Sequence, residues 1–184
     1  MRPTALLPTT LSVLVATVVS VAQPWSASTR RPAVRQENGM VINSRAGYYF
    51  ATPQGWLLDK ASDYQYLKVV HSDSAAVFDV SYDRARGTPT MYYMSMVMTL
   101  ESPDYHWLSF GEGAVTLGGR EAKGFRGTRE KDGRKVKELI WLALVDEYVY
   151  IVSSTVDLEK FEARAVEIDQ MFSTFSWGAP PHAP

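Results

Sequence analysis

The sequence predicts an α+β domain, a central antiparallel sheet with helices on its faces. Three observations predict it. Glu138–Thr155 holds two apolar, β-branched and aromatic runs, Leu139–Val145 and Tyr148–Val152, parted by Asp146-Glu147, the pattern of a hairpin. The first run is apolar at every position, so that strand is covered on both faces. Leu158, Phe161, Ala165, Ile168 and Phe172 then recur at helical spacing, opposite Glu159, Glu162, Arg164, Glu167 and Asp169.

A chain of 184 residues accommodates one domain plus extensions. Its formal net charge of −1 gives no electrostatic case for nucleic acid or an acidic membrane surface. Cysteine is absent, which excludes disulfides, thiolate metal sites, a cysteine nucleophile and lipid attachment through cysteine. Residues 1–22 read as a secretory signal peptide: Arg2 is a short positive start, Leu11–Val21 is apolar apart from three hydroxyl residues, and Ser20-Val21-Ala22 suits cleavage after Ala22. The reading implies a secreted or periplasmic domain, with an uncleaved N-terminal anchor as the alternative. Residues 23–45 read as a flexible linker, with Pro24, Pro32, Arg30, Arg31 and Arg35 and no apolar period.

The domain is expected over residues 46–177. Ala46–Thr52 is an aromatic first strand, and Pro53-Gln54-Gly55 turns the chain so that Trp56 packs back on the sheet. Tyr66–His71 and Ala75–Tyr82 are strands around Ser72-Asp73-Ser74, and alternation places Phe78, Val80 and Tyr82 on the core face. Thr90–Leu100 fits helical and strand periods alike. Pro89 at its start favours a helix. Glu112–Leu117 and Arg120–Arg129 flank the two-residue loop Gly118-Gly119, and Asp132-Gly133 turns into Lys135–Val145. With Tyr148–Thr155 these strands make a four-strand meander. Asp157 is placed to cap the final helix, whose Phe161→Asp variant is expected to lose docking. Burying its four large apolar side chains supplies roughly 6–12 kcal/mol gross. Ser173–Trp177 suits a last short strand, and residues 178–184 a Pro-rich disordered tail.

Pro53-Gln54-Gly55-Trp56, the Leu117-Gly118-Gly119-Arg120 hairpin, the Leu139–Val152 hairpin and a helix ending Met171-Phe172-Ser173-Thr174-Phe175 together resemble the PsbP-like family. That family includes extrinsic photosystem II proteins and bacterial DcrB-like envelope proteins. The resemblance implies an α/β/α sandwich around an antiparallel sheet and non-enzymatic assembly or binding roles outside the cytoplasm. A nuclear import factor that binds the GTPase Ran shares the fold, so the fold does not fix the partner. The chain departs from the lipoprotein members in lacking their lipobox cysteine.

Candidate chemistry is sparse. His71, Asp73 and Asp79 are the conceivable Zn²⁺ or Mn²⁺ ligands, but their spacing is not diagnostic and a polar surface turn is the stronger reading. His106 lies in an aromatic loop and His182 in the tail. No Gly-x-Ser-x-Gly elbow occurs, and Gly111-Glu112-Gly113 is no phosphate loop. Met91, Met94, Met96 and Met98 offer thioethers to Cu(I), against the stronger expectation that they fill core space. Tyr48, Tyr64, Tyr66, Tyr92 and Tyr105 are candidates for a partner face. The leading expectation is a non-catalytic, exported domain that binds a protein partner and holds no cofactor. Alternatives are a small-molecule or Cu/Zn/Mn carrier and a cryptic hydrolase.

Overall fold

In a computed structural model, residues 32–178 are described. The expected signal peptide, His182 and most of the tail lie outside them. Strands β1 (Val34–Glu37), β2 (Met40–Asn43), β3 (Tyr48–Ala51), β4 (Trp56–Leu58), β5 (Tyr66–His71) and β6 (Ala76–Arg84) lead into helix α1 (Pro89–Glu101). The meander β7 (Trp107–Leu117), β8 (Arg120–Lys131), β9 (Arg134–Val145) and β10 (Tyr148–Asp157) follows. Helix α2 (Phe161–Thr174) and β11 (Ser176–Trp177) close the domain. One antiparallel sheet has the order β4-β5-β6-β10-β9-β8-β7, and a smaller one the order β1-β2-β3-β11.

The layers follow from strand alternation. On β9, Leu139, Trp141, Ala143 and Val145 point to one face and Ile140 and Leu142 to the other. The first face is covered by α2 and the small sheet, with Phe50, Phe78, Val152, Ile168, Met171 and Phe172 at its centre. The second is covered by α1, whose Val97 and Leu100 pack on Phe125, Ile140 and Leu142. This is the expected α+β sandwich, and β9 is covered on both sides as its unbroken apolar run requires.

Several expectations change. The segment read as linker contains β1 and β2, so the ordered domain starts ahead of Ala46. Asn38 (φ 51°) and Gly39 (φ 71°) form the hairpin turn between them, where both residues need the left-handed region. Val41 and Ile42 are then buried, and Gln36 reaches Thr52 and the Trp56 carbonyl, which offsets the ordering cost. Residues 90–100 are helical. Asp157 does not cap α2. It ends β10, a 3₁₀ turn (Leu158–Lys160) intervenes, and its carboxylate faces Arg134 at 3.4 Å instead. Leu158 is exposed and Phe161 half-buried, so docking of α2 rests on Ile168, Met171 and Phe172, and Phe161→Asp touches only its margin.

β7 is held against β8 by a close approach at Gly127. A methyl group there would sit 2.2 Å from the Ser109 carbonyl oxygen and 2.3 Å from the Trp107 ring. Gly127→Ala is therefore expected to cost about 3 kcal/mol, because backbone as well as a ring must move. Thermal melts of the variant measure it.

Candidate functional site

α1 leaves part of its face of the large sheet uncovered. There the alternation that buries Phe78, Val80, Leu139 and Trp141 turns Asp79 and Glu138 outward into a groove. Across β10 their register partners are Ser153 and Thr155. The groove has a cavity volume of about 380 Å³ beneath Met96, Leu100 and Tyr105, floored by Ile140 and Ile151. It continues through Asp79, Lys131 and Thr155 into a depression of about 200 Å³ beside Tyr66 and Lys68.

Glu138 is 4% exposed. Arg129 donates to both its oxygens, at 2.6 and 2.9 Å, Thr155 donates at 3.1 Å and Tyr105 at 3.3 Å. A carboxylate so saturated holds the groove's shape and has no lone pair left for a ligand. Arg129 lies over the Tyr105 ring, 4.7 Å from its centre. Burial, with the Glu138 charge beside it, pushes the Tyr105 hydroxyl up to about 12.

Asp79 differs. Tyr66 donates to one of its oxygens at 2.8 Å, and burial raises its carboxyl above the ordinary range. The groups facing it are Tyr66, Lys68, Lys131 and Glu138. A folded-state pKa above the unfolded value disfavours folding once pH exceeds the unfolded value, and the penalty disappears as pH falls below it. Asp79→Asn keeps an oxygen for Tyr66 and removes the charge. The variant is expected to melt higher than the parent at about pH 7, the difference vanishing by about pH 3. Paired thermal melts at both pH values check the sign.

Neither His71 nor His106 lines this groove. The groove can orient a polar ligand over an apolar floor.

The sequence-predicted residues scatter. His71 sits on the core face at 7% exposure, its Nδ1 2.7 Å from Asp73, whereas Asp79 points to the opposite face. The three do not converge, and no group of three or more histidine, aspartate or glutamate side chains among the described residues is disposed to hold a metal. His71 instead belongs to a polar clasp. Arg164 of α2 donates to Asp73 at 2.8 Å and to Glu167 at 3.3 Å, and Glu167 accepts the Trp56 indole N–H at 2.9 Å. The Arg164 guanidinium holds the Asp73 carboxyl well below the usual carboxylate range. Gly55 (φ 90°) makes the tight Pro-x-Gly-Trp turn, and a side chain there would press on the His71 ring at 3.0 Å. His106 adopts a left-handed conformation after the 3₁₀ turn Pro103–Tyr105.

The methionines are corrected. Met91, Met94 and Met98 are 72%, 49% and 67% exposed, and only Met96 packs inward. Val97 and Leu100, with Tyr93 and Met96, already fill the side of α1 that meets the sheet, so the 91/94/98 stripe points to solvent. Of the tyrosines, Tyr48 is core, stacked on Phe175 at 5.2 Å. Tyr66 and Tyr105 line the groove, Tyr92 donates to Asp83 at 2.9 Å, and Tyr64 lies under Arg45 at 3.7 Å. Sequence reasoning missed Glu138, Arg129 and the exposed Phe110. The usable signal was Glu138 on the same strand face as Val136, Ile140 and Leu142, a buried position that demands a cation.

No family model matches the chain, and no curated protein matches it. Solved structures do. LpqN, involved in cell envelope biogenesis of Mycobacterium tuberculosis, aligns at TM-score 0.52 and 16% identity over 72% of this chain and 83% of that one. Cyanobacterial PsbP from Synechocystis aligns at 0.52 and 14%, over 83% and 97%. The Ran-binding protein Mog1p of Saccharomyces cerevisiae aligns at 0.50 and 11%, over 78% and 96%. At these identities the likeness is one of fold, and the fold is PsbP-like, as the sequence motifs predict. No helix among the described residues is long and apolar enough to cross a membrane.

Proposed function

We propose that this chain is an exported, non-catalytic binding domain that docks a protein partner at the cell envelope. The observation that carries the reading is the exposed stripe Met91, Met94 and Met98 on α1. On the same side of the sheet Phe110, 44% exposed, stacks on Phe125 of the cluster beneath that helix. Flexible, polarizable methionines are suited to a partner surface, and an exposed apolar stripe on an otherwise ordinary surface marks an interface more readily than a solvated face. The signal-peptide pattern of residues 1–22 supports export. LpqN's involvement in cell envelope biogenesis is a precedent on this fold for the address, and Mog1p's binding of Ran one for a protein partner.

The test is affinity purification of the tagged mature protein from its native envelope fraction, beside the triple variant Met91→Glu, Met94→Glu, Met98→Glu. The expected result is a stoichiometric protein with the parent, absent from the triple variant, while both melt at the same temperature. Recovery of a clean monomer from the parent overturns the reading. Copper in the parent eluate, lost in the variant, would instead favour the metal-carrier alternative.

A further inference from the structure

β7 is the outermost strand of the large sheet and eleven residues long. Among the described residues its strand partner is β8, in unbroken register from Ser109 to Leu117 after a shift between Trp107 and Ser109. In an antiparallel ladder alternate residues turn their N–H and C=O away from the partner, so β7 presents a row of backbone groups outward. Among the described residues no backbone hydrogen bond from another segment reaches that row. The usual protections of an edge are weak here. There is no proline or lysine in the strand, and its single charged residue, Glu112, is held by Lys123 at 2.8 Å.

Each face of this edge carries a groove. On the α1 side a cavity of about 850 Å³ lies between Tyr93 and Met94 of the helix and Ala114 and Ala122 of the strands. On the other side a cavity of about 280 Å³ is floored by Gly113 and Gly124 and walled by Val115, Leu139 and Trp141. A strand laid along β7 would send alternate side chains into the two grooves. The first groove is lined by Glu112 and Glu121 with Arg120 and Lys123, and Lys123 is shared between Glu112 and a third carboxylate, Glu101, beside the groove. The second is uncharged apart from Arg126 and Glu112 at its mouth.

We propose that β7 is a strand-addition site that takes an extended segment of the partner as an eighth strand. In that segment large apolar residues, which enter the Trp141 groove, alternate with lysine or arginine, whose stems cross Met94 and whose heads meet the acidic rim. The proposal rests on the partner-binding reading above and names how the partner docks. A second copy of this chain does not fit the grooves. Its own β7 would bring Gly111, Gly113 and Ala114 to their centre, side chains too small to fill them, and it carries no cation for the acidic rim.

The test uses the full mature chain and a synthetic ten-residue peptide in which leucine or phenylalanine alternates with lysine. Amide hydrogen exchange read by NMR is expected to slow at alternate residues of β7 when the peptide is added. N-methylating one alternate set of peptide amides is expected to abolish binding, and methylating the other set to leave it intact. Gly113→Leu fills the Trp141 groove from below. A Cβ there meets no atom within 4 Å, so the variant is expected to melt like the parent and bind the peptide at least about tenfold more weakly. Absence of binding, unchanged exchange along β7, or equal affinity in Gly113→Leu overturns the proposal. The two readings fail separately. An envelope partner captured equally by Gly113→Leu overturns strand addition and leaves partner binding standing. A peptide that adds to β7 with no partner recovered removes the envelope reading and keeps the edge as a site.

Discussion

Phe172→Ala is expected to destabilise the domain by about 4 kcal/mol. Phe172 is 2% exposed near the C-terminal end of α2. Its ring stacks on Trp141 of β9 at 4.3 Å and meets the edge of Phe78 of β6 at 5.0 Å. Those rings belong to two strands with β10 between them, so Phe172 spans the centre of the sheet. Truncation removes the transfer free energy of a phenyl group and leaves a cavity that three rigid elements cannot close. For a domain of this size the midpoint is expected to fall by roughly 10 °C. Phe172→Leu, which keeps most of the volume, is expected to cost no more than about 1.5 kcal/mol. Urea and thermal melts of the pair decide it. A Phe172→Ala loss below about 1 kcal/mol would place α2 elsewhere.

Glu138→Ala is expected to cost about 3–4 kcal/mol, by a different route. The carboxylate is the hydrogen-bonded counter-charge of the half-buried Arg129, and removing it leaves a guanidinium, a tyrosine and a threonine facing a void. The penalty is that of uncompensated groups rather than of lost apolar area. The discriminating measurement is a double-mutant cycle. Arg129→Met alone leaves a buried carboxylate and is expected to cost a similar amount. The double variant Glu138→Leu, Arg129→Met is expected to cost far less than the sum, because neither orphaned charge remains. Additive losses would show that the two side chains act independently.

Much of the fold was legible because its signals are local. Asp132-Gly133 and Gly118-Gly119 announce hairpin tips, the unbroken apolar run Leu139–Val145 announces a doubly covered strand, and the 3.6-residue period after Asp157 announces α2. What escaped depends on partners far along the chain. β1 and β2 are four residues each and sit beside arginines and prolines, so composition averaged over the segment hid the Asn38-Gly39 turn. Asp157 has the residue type of a helix cap, but its backbone N–H bonds the Ala75 carbonyl and its register partner is Val136, so the strand claims it first. α1 is apolar on both sides, which leaves no amphipathic contrast to say that Met91, Met94 and Met98 face out. The Glu138–Arg129 pair is nine residues apart and exists only because the Asp132-Gly133 hairpin folds β8 onto β9.

The small sheet has a temporal consequence. β1, β2 and β3 come from the beginning of the described chain and β11 from its end, with Ser176 and Trp177 paired to Tyr49 and Tyr48. The Gly178 amide bonds the Gly47 carbonyl, and the Trp177 indole bonds the Leu117 carbonyl. A chain emerging from a ribosome N-terminus first therefore displays an incomplete layer, with Tyr48 and Phe50 lacking Phe175, until the segment from Phe175 to β11 is made. Closure of the domain is a late, long-range event.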